Sequence, residues 1–190
     1  MAIKIFIDQG HNPINPNAGA EGFGLREQDI TYDIGSRLAE LLRGDPNFEV
    51  KLSRNSPTEQ LGTSNSTSLA ARVNAATAWG ADYFISLHTN ASANPEISGT
   101  EGYAYSMHSE GYWLGEEIID TISDFTGLEN KGMFVRPSLY VLRRTPMPAT
   151  LIEMGYITNE NDASLLSQQP QFFADSIYEG ILSYFGLNME

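Results

Sequence analysis

The sequence contains no cysteine, few basic residues and no long uninterrupted apolar run. The absence of cysteine excludes disulfides, thiolate metal ligands and a cysteine nucleophile. Only 11 lysines and arginines stand against 24 aspartates and glutamates, so the formal net charge is −13. This charge argues against nucleic acid as a partner, because phosphates require a basic surface. No run reaches the ~20 apolar residues of a membrane-spanning helix, so we expect no membrane insertion.

The length and composition indicate one globular unit. With 190 residues, of which 41% are hydrophobic, the chain can bury one good core, and we predict a single domain over residues 1–190. Lys4 and Asp8 interrupt the first apolar run, which is also too short for the core of an export signal. We therefore expect the chain to be made without an export signal.

Two apolar stretches each lead to a histidine. Residues 3–9 run through Gly10 to His11, and residues 83–87 run directly to His88. Both stretches are typical of buried strands in a mostly parallel sheet, whose ligands bind beyond the carboxyl ends of the strands. A single loop histidine would be read as an ordinary polar residue, but two at one sheet edge favour a binding site. His108 lies in a loop, and we expect it to be solvated.

Two glutamates occupy informative positions. Glu153 stands within the apolar stretch 149–156, and a buried carboxylate must be paired, protonated or directed into a site. A salt bridge to an arginine such as Arg143 is the structural alternative. Glu27 falls in or just before the first turn of a helix, where the helix dipole alone would favour a carboxylate.

The remaining periodicity predicts the fold class. Helical spacing of apolar residues follows Glu27, Leu69, Leu114 and Pro170, and a short helical turn is expected after Asn159. Residues 129–137 are predicted to be a loop and residues 138–143 a short strand. This order predicts an α/β domain with a mixed, largely parallel twisted sheet of about six strands and helices on both faces.

The convergence of two histidines and a carboxylate predicts a metal site. Two histidines and one carboxylate with an open fourth position are typical of catalytic zinc, whereas structural zinc sites are usually closed by four protein ligands. Two glutamates are then available for two roles. One would complete the ligand set, and the other would act on a water molecule at the metal.

Four ordered blocks extend this pattern over nearly the whole chain, which resembles the zinc-dependent N-acetylmuramoyl-L-alanine amidases of the amidase type 3 family. The resemblance rests on these blocks: Asp8-Gln9-Gly10-His11; Gly19-Ala20 and Gly22 with Leu25-Arg26-Glu27; Arg72-Val73-Asn74 and residues 81–91, which contain Ser86-Leu87-His88-Thr89-Asn90-Ala91; Val141-Leu142-Arg143 and residues 151–159. Departures at Gln9, Asn12-Pro13, Thr89 and Tyr156 affect none of the proposed ligands, and they bear on substrate preference rather than on the reaction.

The resemblance implies hydrolysis of the amide between N-acetylmuramic acid and L-alanine in peptidoglycan. It implies Zn2+ held by His11, Glu27 and His88, with Glu153 as the general base and acid, a chemistry that these residue types suit. Asn90 and Arg143 are candidates for substrate binding, although surface polar residues would look the same in sequence.

Two other functions are compatible with parts of the pattern. A zinc peptidase could cut within the stem peptide, but the usual helical zinc motif His-Glu-x-x-His is absent. A non-catalytic wall-binding module would be expected to lack one of the four site residues. The acidic charge predicts that wall targeting requires a further domain beyond residue 190. We expect the protein to remain in the bacterial cytoplasm, where it is made, until phage- or lysis-mediated release to the wall.

Overall fold

The computed structural model describes residues 2–187, so the ends of the predicted domain, residue 1 and residues 188–190, lie outside the described part. It confirms an α/β protein with one six-stranded sheet and one small two-stranded sheet. The elements in chain order are β1 (Ile3–Gln9), β2 (Glu21–Gly22), β3 (Leu25–Arg26), α1 (Glu27–Gly44), β4 (Phe48–Leu52), α2 (Asn65–Trp79), β5 (Tyr83–Asn90), β6 (Thr100–Ala104), α3 (Glu110–Thr126), β7 (Asn130–Val135), α4 (Tyr140–Arg144), β8 (Ala149–Tyr156), α5 (Glu160–Gln168) and α6 (Pro170–Phe185).

The main sheet has the order β4-β1-β5-β8-β6-β7 and is largely parallel. Strands β4, β1, β5 and β8 run in one direction, while β6 is antiparallel to β8 and parallel to β7. The carboxyl ends of β1, β5 and β8 therefore meet at one edge of the sheet. This is the edge at which the sequence predicted a site.

Alternation along the strands divides the core between the two faces of the sheet. On one face, Ile5 and Ile7 of β1 pack in a large apolar cluster with residues of α1, α3 and α6. On the other face, Phe6 belongs to a smaller cluster with residues of α2 and α4. Helices thus cover both faces, as predicted, and the second face carries the polar residues described below.

Two predictions for the segment 129–143 are wrong. Residues 130–135 form the edge strand β7, in which Gly132 has a left-handed φ of 93° and no residue is fully buried. An exposed edge strand interrupted by such a glycine carries little alternation in sequence. The predicted strand 138–143 is instead the short helix α4, which buries the adjacent pair Val141 and Leu142. Short apolar runs do not distinguish helix from strand by periodicity alone.

Local capping otherwise agrees with the sequence to within a few residues. Helix α2 begins after Ser64, whose side chain accepts a hydrogen bond from the backbone N–H of Thr67, a few residues before the periodicity that follows Leu69. Asn159 caps α5 in the same way through Asp162. No helix among residues 2–187 has the length and apolarity needed to cross a membrane.

A buried ion pair lies directly beneath the carboxyl end of β1. Arg72 of α2 donates to Asp8 Oδ1 at 2.6 Å, and both side chains are almost completely buried. Arg72 also donates to the backbone carbonyls of Gln9 at 2.6 Å and His11 at 2.5 Å, while Ser86 donates to Asp8 Oδ2 at 2.8 Å. Burial by itself would raise the pKa of Asp8, but the charge and hydrogen bonds of Arg72 outweigh it and lower that pKa.

We expect Arg72→Met to lower the free energy of unfolding by about 3–5 kcal/mol, because it leaves Asp8 buried without its countercharge. The matched control is Arg37→Met, since Arg37 pairs with Asp33 at 3.0 Å on the surface. Exposed pairs of this kind contribute about 1 kcal/mol or less. Urea unfolding of both variants provides the measurement, and equal losses would contradict the role given to the buried pair.

Candidate metal centre and active site

Three elements bring the predicted ligands together. His11 lies just beyond β1 in a left-handed conformation with φ of 66°, Glu27 is the first residue of α1, and His88 lies within β5 two residues before its end. Strands β1 and β5 are adjacent and parallel, so their histidines share one edge. Residues 12–26 form the connection that returns the chain to the same edge, where α1 begins.

The three side chains form a compact cluster. Glu27 Oε2 lies 3.1 Å from His11 Nε2, and Glu27 Oε1 lies 2.9 Å from His88 Nδ1. One ligand atom from each residue lies within 4.8 Å of the others, close enough for all three to share one metal ion. The donor set, two imidazoles and one carboxylate, is the kind found in catalytic zinc sites. The residues therefore fit a divalent metal ion of this class.

The Glu27 carboxylate is held from four directions. In addition to the two histidines, the backbone N–H of Ala20 donates to Oε2 at 2.9 Å and that of Thr89 donates to Oε1 at 3.0 Å. Burial acts to raise the pKa of Glu27, but the hydrogen bonds and charges of His11 and His88 prevail and lower it below its ordinary value. Glu27 is therefore ionised and correctly oriented to be a ligand.

His11 is oriented by contacts on the side opposite Glu27. Its Nδ1 lies 3.2 Å from the backbone carbonyl oxygen of Asn17, while its Nε2 faces Glu27 Oε2. Such contacts fix the tautomer and the ring plane of metal-binding histidines. The Asn17 carbonyl belongs to the connection 12–26 between β1 and α1.

Two glycines permit this close approach. A Cβ atom on Gly10 would lie 2.5 Å from the carbonyl oxygen of Leu87 and 2.6 Å from Cε1 of His88. A Cβ atom on Gly19 would lie 2.7 Å from both Cβ and Oε2 of Glu27. Any larger residue at either position would displace a ligand, which explains why glycine stands at both.

Glu153 lies beside this cluster in a different environment. It pairs in register with His88 of β5 on one side and with Glu101 of β6 on the other. Its Oε2 is buried and has no hydrogen-bond partner within residues 2–187. Burial raises the pKa of Glu153 well above its ordinary value of 4.5, and the charges of Glu27 and Glu101 raise it further. The two glutamates of the site thus have pKa values shifted in opposite directions.

The salt bridge considered for Glu153 in the sequence does not form among the described residues. The guanidinium of Arg143 is exposed on α4 and lies 3.5 Å from the carbonyl oxygen of Ser138. It lines a pocket of about 430 Å³ that also includes Tyr105 and Ala149, near the amino end of β8. His108 is exposed, as expected, and does not belong to the metal cluster.

Asn90 is connected to a glutamate that the sequence did not single out. Its Nδ2 donates to Glu101 Oε1 at 2.6 Å, and the hydroxyl of Tyr103 donates to the same oxygen at 2.5 Å. Glu101 and Tyr103 alternate on β6, so both side chains lie on the face that carries Glu153. The sequence does show Glu101 as a carboxylate in a strand with alternating polarity. Only the pairing of β6 with β8 shows that Glu101 belongs to the site.

The fold and the cluster define an α/β protein with a candidate His-Glu-His metal centre and a separate buried carboxylate at the carboxyl edge of its sheet. This combination is typical of metal-dependent hydrolases. The chain belongs to the amidase type 3 family of N-acetylmuramoyl-L-alanine amidases, whose profile matches residues 5–183. The resemblance seen in the sequence is thereby confirmed.

Relatives of known name agree with this membership. The chain is 36% identical over 184 residues to the N-acetylmuramoyl-L-alanine amidase CwlM of Bacillus licheniformis. The matched region covers 94% of this chain and 65% of CwlM. The chain is also 33% identical over 187 residues to the amidase LytC of Bacillus subtilis. That match covers 95% of this chain and 35% of LytC. The solved catalytic domain of the amidase CwlV from Bacillus (Paenibacillus) polymyxa is similar with a TM-score of 0.84 and 27% identity, covering 98% of this chain and 99% of that domain.

We expect Glu153→Gln to stabilise the metal-free protein at pH 7 by about 1 kcal/mol or more, because a buried carboxylate without a partner is costly. The raised pKa means that the folded protein binds the proton more tightly than the unfolded chain does. The loss of folding stability caused by ionised Glu153 in the wild type is therefore present above the pKa of the unfolded chain, near 4.5, and disappears below it.

The measurement is urea unfolding of the metal-free wild type and Glu153→Gln between pH 4 and pH 7. The control is Glu49→Gln, since Glu49 is exposed on β4. A Glu153→Gln protein that is less stable than the wild type at pH 7 would contradict the environment described for Glu153.

Proposed function

We propose that this chain hydrolyses the amide that joins the lactyl group of N-acetylmuramic acid to the L-alanine of the peptidoglycan stem peptide. The observation that carries the proposal is the contrast between the two glutamates. Glu27 is held ionised between His11 and His88, and Glu153 is beside them without a partner. Membership in the amidase family supplies the identity of the bond.

His11, Glu27 and His88 are the proposed ligands of the metal, and zinc is the proposed ion. When bound, zinc supplies a Lewis acid that lowers the pKa of water toward ~7 and polarises the amide carbonyl. The backbone N–H groups of Ala20 and Thr89 keep the Glu27 carboxylate aligned with both histidines. This alignment reduces the reorganisation needed to hold the ion.

Glu153 is the proposed general base and acid. It accepts a proton from water as the water oxygen bonds to the carbonyl carbon, and it delivers that proton to the alanine nitrogen as the C–N bond breaks. A raised pKa suits both steps, because the carboxyl group must gain and lose a proton near neutral pH. The products are a free lactyl carboxylate and a peptide that begins with L-alanine.

Asn90 and Arg143 are the proposed substrate-binding residues. Asn90 uses one amide hydrogen for Glu101, and its second can be offered to a carbonyl of the substrate. Arg143 is exposed and lines the pocket of about 430 Å³ near the amino end of β8. Any contact that it makes is therefore with a part of the polymer remote from the scissile bond.

We also propose that residues 1–190 form one catalytic domain and that wall binding is supplied by a further domain. The chain spans 65% of CwlM and 35% of LytC, so these relatives contain additional sequence. A net charge of −13 gives the chain no general attraction to an anionic wall. Action at the cell wall follows from the proposed substrate. The route to the wall, by phage- or lysis-mediated release, stays a prediction.

The proposed reaction is tested by product analysis with purified peptidoglycan. We expect about one zinc per chain by elemental analysis, loss of activity with chelator, and recovery with zinc. Mass spectrometry is expected to show peptides with a free L-alanine amino terminus and glycan strands with an intact lactyl carboxylate. Cleavage inside the stem peptide would replace the amidase with a peptidase, and bound metal without any cleavage would favour a binding module.

The proposed roles are tested by substitution. Glu153→Gln is expected to retain zinc and to lose at least about 100-fold in turnover, the usual contribution of general acid–base catalysis. His11→Ala and His88→Ala are expected to lose both zinc and activity. His108→Ala is the matched control, because His108 is an exposed histidine outside the cluster. A Glu153→Gln protein with wild-type turnover would contradict the assignment of the base.

A further inference from the structure

A small, largely apolar pocket adjoins both histidines of the candidate metal centre. Its volume is about 130 Å³. Binding sites for whole ligands are usually 300 Å³ or larger, so this pocket can be only part of a larger site. Its lining includes His11, His88, Leu69, Leu139, Tyr140 and Leu151.

The pocket lies on the face of the sheet that carries the reacting groups. Leu151 and Glu153 are two residues apart on β8, so their side chains lie on the same face. His88 pairs in register with Glu153 on the adjacent strand. Leu69 of α2 and Leu139 at the start of α4 close the pocket on the side away from the sheet. A group seated here is next to both the metal centre and the proposed base.

The side chains of Asp8, Arg72 and Asn17 in the lining are engaged with other parts of the protein. Asp8 and Arg72 pair with each other at 2.6 Å. The side-chain Nδ2 of Asn17 donates to Ser68 Oγ at 3.0 Å, and the backbone carbonyl oxygen of Asn17 contacts His11 Nδ1. The remaining surface of the pocket is aliphatic and aromatic, so it favours an apolar group over a hydroxyl or a charge.

We propose that this pocket receives a methyl group carried by a carbon next to the scissile amide and so helps to select the substrate. The inference rests on the proposed function, because the bond assigned there has such a methyl on each side. In the lactyl group, one methyl is attached to the carbon that is bonded to the carbonyl carbon. In L-alanine, the other methyl is attached to the α carbon, which is bonded to the amide nitrogen. The pocket accommodates a methyl group together with the carbon that carries it, and a hexose ring with its substituents exceeds it.

The experiment compares three soluble muramoyl peptides as substrates of the zinc-loaded protein. The parent has both methyl groups, the second has glycine in place of L-alanine, and the third has a glycolyl in place of the lactyl group. One methyl group in an apolar pocket changes kcat/KM by roughly 10- to 200-fold. We expect a loss of this size for whichever compound lacks the methyl that occupies the pocket, which also identifies the source of that methyl.

Two variants connect this preference to the pocket. Leu69→Phe and Leu139→Phe place extra volume in the lining, and we expect each to reduce the preference for the parent to less than about 3-fold, a small fraction of the 10- to 200-fold effect. Leu41→Phe is the matched control, since Leu41 is a partly buried leucine of α1 in the apolar cluster on the opposite face of the sheet. It is expected to keep the wild-type preference.

The outcomes separate this inference from the proposed function. If the wild type cleaves all three compounds with equal kcat/KM, the subsite is wrong while the amidase activity stands. A preference that persists in folded Leu69→Phe and Leu139→Phe also overturns it. Failure of the wild type to cleave the parent compound overturns the amidase proposal, and the subsite with it. The comparison among wild-type rates requires no variant to fold.

Discussion

The position of the Glu27 carboxylate between His11 and His88 is the constraint on which the rest of this site depends. The carboxylate has one oxygen for each histidine, at 3.1 and 2.9 Å, and it is nearly inaccessible to solvent. Bringing three such groups together requires close backbone approach, which Gly10 and Gly19 provide. It also requires that α1 begin at the sheet edge, so that its first residue faces two adjacent strands.

The buried pair of Asp8 and Arg72 supports this arrangement from below. Arg72 bonds the carbonyls of Gln9 and His11, which flank the point where β1 ends and the chain turns left-handed. A non-glycine residue in that conformation requires surrounding contacts that hold it. One guanidinium thus neutralises a buried carboxylate and at the same time fixes the backbone that presents the first histidine.

The long apolar strands, and the positions of His11, His88 and Glu153 in or just after them, could be predicted from the sequence, because β1, β5 and β8 are continuous runs whose period and ends are local properties. The part that failed was 129–143, where an edge strand with a glycine and a helix of five residues have too little periodicity to identify. Glu101 was not predicted to join the site, since its contact with Asn90 depends on the antiparallel pairing of β6 with β8. Long-range pairing of this kind has no local signature.

The net charge of the chain explains why short-range contacts would have to select the proposed substrate. An excess of 13 negative charges repels an anionic polymer, but at physiological ionic strength this repulsion is largely screened beyond ~8 Å. Within that distance, the groups that can favour one bond over another are the amide of Asn90 and the apolar pocket of about 130 Å³. A metal centre polarises any amide carbonyl that reaches it. In the proposed reaction, discrimination between amides must therefore come from the groups beside the metal ligands, and an apolar pocket that adjoins both histidines is positioned to sense the carbon atoms on either side of the proposed scissile bond.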